Sequence, residues 1–273
     1  MKTKSSSDPA LANLAGLLPD LEALYKDVHS HPELSMQETR TAGIVADRLR
    51  AAGYEVATGI GKTGVVGLLR NGDGPAVMLR ADMDALPVAE ATGLPDASTA
   101  TATDAAGKTV PVAHACSHDI HVTWLVGATT LFAQARASWS GTVLAVFQPG
   151  EETAQGAQAM IDDGLFDRFP KPDVVLGQHV MPSAAGSIGT RSGVITSGLG
   201  KRSKSPSSII ACAPCAVSSA GWKTASTVPR QASRADASSA VTPASQVTCM
   251  SCPHACMTGT SLPSGSVAVA VLA

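Results

Sequence analysis

Three short, nearly uninterrupted apolar runs, Ala76–Met83, Thr142–Phe147 and Val174–Val180, constrain the fold more than any other feature of the chain. A strand wetted on one side alternates apolar and polar residues, whereas an unbroken run fits a strand covered on both faces. The segments between the runs carry helical spacing instead, over Ile120–Ala137 and over Ala154–Asp163, the latter closed by Gly164. This alternation indicates an α/β architecture, a mixed sheet flanked by helices. Upstream, Pro9 after Asp8 opens a helix with its apolar stripe at Leu11, Leu14, Leu18, Leu21, Leu24 and Val28. Ser35 and Glu38 read as a capping box for a second helix, with Ile44, Val45 and Leu49 buried and Gly53 as its stop. Tyr54–Ile60 and Gly64–Arg70 read as two further strands.

At 273 residues and 44% hydrophobic content the chain can bury a sizeable core, as one large domain or two small ones. A net charge of -2 gives no reason to expect nucleic acid or an anionic membrane as partner. Met1–Asp20 has no uninterrupted apolar stretch of signal-peptide type, and no segment reads as a membrane span, so a cytoplasmic location is expected. Cys116 is the one cysteine of residues 1–200, and it stands among His, Asp and Glu. In a reducing compartment that setting suggests a metal ligand or nucleophile rather than a disulfide.

Three motifs carry the chemistry: Ala113-His114-Ala115-Cys116-Ser117-His118-Asp119-Ile120-His121, Gln148-Pro149-Gly150-Glu151-Glu152 and Gly177-Gln178-His179-Val180. Together they supply a thiolate, imidazoles and a carboxylate pair at successive element ends, the materials of a hydrolytic two-metal site. Asp82, Glu151, Glu152 and His179 fall at or just past the carboxyl ends of strands, where open α/β sheets bind ligands. Adjacent Glu151 and Glu152 on an irregular loop can point in different directions, one to a cation and one to its water. Each residue also has a plainer reading. Cys116 could be a small buried hydrophobe, His179 a satisfied core histidine, and the glutamates a solvated turn. Asp82 and Asp84 could cap the loop beyond their strand, and for Asp84 that reading is preferred. His29, His31, His114 and His121 read as structural or supporting residues.

These motifs, with His31-Pro32-Glu33-Leu34-Ser35 and Arg80-Ala81-Asp82-Met83-Asp84-Ala85-Leu86-Pro87, occur in an order that resembles the M20 metallopeptidases. The similarity is to the amidohydrolase branch of hippurate, N-acyl-amino-acid and auxin-conjugate hydrolases, and it runs from about Leu24 to Ser197. The resemblance implies a zinc-exopeptidase-like catalytic domain that hydrolyses the amide bond of small N-acyl amino acids with two divalent cations. Zinc or manganese is expected, with cobalt or nickel compatible. It further implies that Cys116, His118, Glu152 and His179 are metal ligands, with Cys116 shared between the two cations. Glu151 becomes the general base and Asp82 the carboxylate that orients a ligand.

The chain departs from that pattern twice. Ser117 stands where the family has glycine, which is costly if the backbone there needs positive φ. Nothing after Gly200 resembles the family's lid domain, with its substrate-contacting histidine and dimer interface, or the final histidine ligand. The expectation is therefore an incomplete catalytic domain over 1–200, with little or no activity, that is monomeric or prone to aggregate.

Residues 201–273 change character abruptly. They hold five cysteines, Cys212, Cys215, Cys249, Cys252 and Cys256, but one acidic residue, Asp236, and no Phe or Tyr. The CxxC spacings resemble a zinc module, which would make the tail a metal-binding or interaction element. The genetic code supplies a better account. Val247–Met257 must be encoded by GTN ACN TGY ATG, a serine codon, and TGY CCN CAY GCN TGY ATG. With TCN for the serine, the complementary strand read one base out of step permits MHACGHDMHVT, a near copy of residues 113–123. Lys201–Gly221 likewise permits PAEETAQGAQAMIDDGLFDRF, against Pro149–Phe169, so 201–273 mirrors 97–169. The tail therefore reads as antisense translation of a homologous copy, and its composition predicts an appendage without a core of its own.

Overall fold

The computed structural model describes residues 8–181, 189–192 and 208–214. In chain order the elements are α1 (Leu14–Ser30), α2 (Thr39–Ala51), β1 (Glu55–Ile60), β2 (Gly64–Asn71), β3 (Ala76–Asp82), β4 (Thr101–Thr103), β5 (Thr109–Pro111), α3 (His118–Gln134), β6 (Gly141–Gln148), α4 (Gly156–Asp162), α5 (Leu165–Arg168), β7 (Val174–Met181), β8 (Gly189–Ser192) and β9 (Ser208–Pro214). Seven strands form one sheet in the order β1-β2-β6-β3-β7-β9-β8. β6, β3, β7 and β9 run parallel, while β1, β2 and β8 are antiparallel to their neighbours. The sheet is thus mixed, as expected.

The unbroken apolar runs follow from burial on both sides. Along β6, Val143, Ala145 and Phe147 join α1, α2 and α3 in one core, while Leu144 and Val146 pack with Met160 and Leu165 of α4 and α5 in the other. β2 divides in the same way, with Val65 and Leu69 on one face and Val66 and Leu68 on the other. Burial of one such side chain contributes about 1.5–3 kcal/mol, so these central strands carry much of the stability. No helix among the described residues is long and apolar enough to cross a membrane.

α2 ends as predicted. The Gly53 amide bonds to the Arg50 carbonyl and the Tyr54 amide to that of Leu49, with Gly53 at φ +84°, a left-handed turn that glycine makes without strain. Its start differs from the expectation. Ser35 and Glu38 do not form a capping box, because both lie before the first helical residue, Thr39. The amides of Arg40 and Thr41 instead donate to the two oxygens of Glu33, each at 2.8 Å. A single carboxylate reaching back over the turn satisfies both helix-end donors.

Smaller departures bear on the site. α3 begins at His118, two residues ahead of the expected Ile120, which places His118 and His121 one turn apart on one face. The β4–β5 hairpin was not legible in the sequence. Ser208–Pro214, inside the anomalous tail, pairs with β7 as β9. The Ile209–Ile210 pair favours extended backbone, and β7 otherwise presents an open edge on that side. Cys215, Cys249, Cys252 and Cys256 lie outside the described residues.

Candidate metal centre

Parallel registry brings three strand ends level. Asp82 of β3 sits opposite Gln148 of β6, and Arg80 lies opposite Gly177 of β7, two residues before His179. The turn into α3 closes the space above them. It does so through Ser117, held at φ +67° and ψ +24°, a left-handed conformation for a residue with a Cβ. That is the strain expected from a serine in the family's glycine position.

Cys116, His118 and Glu152 converge, with one potential ligand atom from each lying within 4.8 Å of the others. His118 Nδ1 is 2.8 Å from the Asp84 carbonyl oxygen, an acceptor only, so Nδ1 carries a proton and Nε2 is the ring nitrogen turned toward Glu152. There Nε2 lies 3.6 Å from Glu152 Oε1, and neither buried atom has a hydrogen-bond partner among the described residues. Burial pushes the Cys116 thiol up and the Glu152 carboxyl up to about 7, the latter only partly offset by His118. A sulfur, an imidazole nitrogen and a carboxylate oxygen, buried and facing one another, are the donor set of a divalent cation, which would relieve the cost of burying them.

Two carboxylates flank His118. The Asp84 carbonyl oxygen and Oδ1 lie 2.8 and 3.2 Å from Nδ1. Asp84 Oδ2 also accepts the Ser35 hydroxyl and, at 2.9 Å, the Glu152 amide. It therefore ties His118, Glu152 and the Ser35 turn before α2 together, a wider set of contacts than loop capping alone. Burial alone would raise its carboxyl, but the bond to His118 and its charge hold it below the usual range. Asp82 Oδ1 lies 2.6 Å from His121 Nδ1, while Oδ2 accepts from Arg80 at 2.8 Å and sits 3.5 Å from His118 Nε2. Arg80 also donates to Gln148 Oε1 at 3.1 Å.

His121, His118 and His179 also fall within 4.8 Å of one another. His121 nevertheless has no nitrogen to spare: the Val180 amide donates to Nε2 at 2.9 Å, which leaves Nδ1 as the donor to Asp82. This agrees with the supporting role read for it. His179 donates Nδ1 to the Val180 carbonyl at 2.7 Å, and its ring stands edge-on to His118 at 6.2 Å. It stands outside the Cys116 group, within reach of His118 and His121 only among the described residues; burial, followed by the nearby His121, pushes it down to about 4. Glu151 Oε2 lies 3.8 Å from His118 Nε2, and burial with the negative charge of Asp82 raises its carboxyl above the usual range. The candidate base and the candidate ligands thus border one space.

Glu38 completes the loop. Fully buried, it accepts the amides of Met36 and Gly150, each at 2.8 Å, and the Thr63 hydroxyl. Gly150 has φ +51°, a left-handed turn that favours glycine immediately before Glu151, and a Cβ there would press on the Met36 side chain, 2.6 Å away at Sδ. Sequence alone placed Glu38 in a cap. Its bond to a residue so distant in sequence carries no local signal.

A family model described as Peptidase family M20/M25/M40 matches residues 78–265, well over half of the chain. The chain belongs to this family. Among M20 relatives, the hippurate hydrolase of Campylobacter jejuni is 43% identical over 175 residues, 64% of this chain and 42% of the relative. The N-acetyl-L-cysteine deacetylase of Bacillus subtilis is 37% identical over 192 residues, covering 70% and 43% respectively. In three dimensions the M20 core matches the Bacillus subtilis YXEP protein, described as a dinuclear metal binding peptidase, with a TM-score of 0.58 and 34% identity over 66% of this chain and 48% of that one. The chain spans less than half the length of each of these relatives.

Proposed function

We propose that this protein provides the metal-binding core of an amidohydrolase acting on N-acyl amino acids or related small amides. The observation that carries the proposal is the convergence of Cys116, His118 and Glu152, with His118 Nε2 and Glu152 Oε1 buried and lacking a hydrogen-bond partner among the described residues. Relatives named for hydrolysing hippurate and for deacetylating N-acetyl-L-cysteine support the substrate class, and a dinuclear neighbour supports two divalent cations. A cysteine ligand favours zinc, while the imidazole and carboxylates also suit manganese, cobalt or nickel. Such ions, when bound, polarise an acyl carbonyl and acidify water.

The chain's own residues do the rest. Cys116, His118 and Glu152 hold a cation, and His179 reaches the space from β7. Asp84 keeps the His118 proton on Nδ1, so that Nε2 remains a ligand. The raised carboxyl of Glu151 suits it to take a proton from the attacking water and return it to the leaving amine. Asp82, paired with Arg80 and His121, keeps a fixed negative charge beneath the centre. Residues 201–273 are assigned no ligand role, because the complementary strand accounts for their cysteine spacing. A reducing cytoplasm suits a buried cysteine that forms no disulfide among the described residues.

Zinc titration of the purified chain tests the reading. Binding that is weakened at least tenfold by Cys116→Ser and by Glu152→Gln supports it. Equal binding in both variants overturns it. Release of glycine from hippurate or of cysteine from N-acetyl-L-cysteine tests the substrate class.

A further inference from the structure

A second buried cluster adjoins the first turn of α3 beside the candidate metal centre. His29, in the last turn of α1, sits 2.6 Å through Nδ1 from Asp119 Oδ2 and 3.1 Å through Nε2 from Glu90 Oε1. His29 is 8% exposed, Asp119 2%, and the Glu90 side chain 1%. Glu90 also accepts the Ser98 amide and the Thr92 hydroxyl, at 2.6 and 2.5 Å. The two carboxylates occupy opposite edges of one ring, so they share no point at which a cation could sit.

Asp119 is the second residue of α3, beside His118. At that helix end Ser117 is in a left-handed conformation, and no side-chain capping bond runs from it to the helix. Its position is set from outside. On one side Asp84 and Asp82, at and just past the end of β3, hold His118 and His121 through their Nδ1 atoms. On the other, His29 holds Asp119, which itself accepts the Ile120 amide at 2.8 Å.

We infer that His29 is a positioning residue for the metal centre, fixing through Asp119 the first turn of α3 that sets Cys116 and His118. The contact to Asp119 does this, whereas the contact to Glu90 secures the 90–98 loop. The inference rests on the proposed cation site, but its first readout needs no cation.

Two isosteres separate the arms, since the Asn amide nitrogen overlays His Nδ1 and the Gln amide nitrogen overlays His Nε2. The experiment compares the full-length chain with His29→Ala, His29→Asn and His29→Gln. Peptide mapping after alkylation follows the rate at Cys116, and a competing chelator follows zinc affinity. The expected result is Cys116 alkylation roughly tenfold faster, and zinc binding roughly 10–100-fold weaker, in the Ala and Gln variants, with Asn close to the parent. Parent-like alkylation in His29→Ala, or rescue by Gln equal to that by Asn, overturns the inference. A parent chain that binds no zinc sinks the functional proposal alone, and the alkylation rates still decide the role of His29. A variant that fails to fold counts against it if His29→Asn fails equally.

Discussion

His118 Nε2 and Glu152 Oε1 face each other at 3.6 Å with no hydrogen-bond partner on either buried atom among the described residues. Buried polar atoms left without partners cost about 1–3 kcal/mol each, more when charged, so a centre of this kind is built to be completed. The arrangement accounts for the division of the adjacent glutamates, because the Glu152 amide is pinned by Asp84 while Glu151 borders the same space with a raised carboxyl.

That division is testable. Glu152→Gln is expected to weaken zinc binding at least tenfold, whereas Glu151→Gln leaves it within about threefold and removes any amide hydrolysis by a factor of roughly 100 or more. Calorimetric zinc titration of the two variants, with hippurate turnover alongside, checks the assignment. Equal losses of affinity would show that both glutamates serve as ligands.

Ser117→Gly should stabilise the chain. A left-handed residue with a Cβ costs about 1–2 kcal/mol, and glycine's extra freedom in the unfolded chain offsets about 0.5–1 kcal/mol of that, leaving a gain of up to about 1.5 kcal/mol. Urea denaturation measures it. A glycine variant less stable than the parent would mean that the serine side chain contributes more than its backbone strain costs.

Glu38→Ala should destabilise by about 2–4 kcal/mol, because it strands the buried amides of Met36 and Gly150. Glu38→Gln should cost less than half as much. Its carbonyl oxygen can still accept those amides, while the Thr63 hydroxyl rotates to accept from the new amide group. Denaturation midpoints rank the three proteins, and equal losses for Ala and Gln would point to the charge as the essential feature.

His29 predicts a pH dependence. Burial disfavours its charged form, but Asp119 and Glu90 outweigh that and raise it to about 9, with His114 and the Tyr25 ring as its other neighbours. The unfolded histidine titrates near about 6.5, so the folded form binds the proton more tightly. The resulting stabilisation is complete below about pH 6.5 and is lost as the pH rises toward 9, in total on the order of 2–3 kcal/mol. Urea midpoints at the two ends of that window should fall with pH in the parent and fall less in His29→Asn. Identical slopes would exclude the pairing as a source of stability.

The sequence by itself determined the α/β class, the central strands and the set of chemical groups, because apolar period and residue type are local properties. The runs around Leu79, Leu144 and Leu176 became β3, β6 and β7, and ligand atoms of Cys116, Glu151, Glu152 and His179 lie within 4.8 Å of one on His118. Only the tertiary structure decided how those groups divide their work. Asp82 and Asp84 are indistinguishable as letters two apart on one strand end, yet their side chains meet different histidines. Glu38 reads as a helix cap until the fold brings Gly150 against it, and His29 reads as structural until α3 presents Asp119. The physical reason is range: caps, turns and strand periods are written within a few residues, whereas the hydrogen bonds that aim a ligand join residues far apart in the chain, and only packing brings them together.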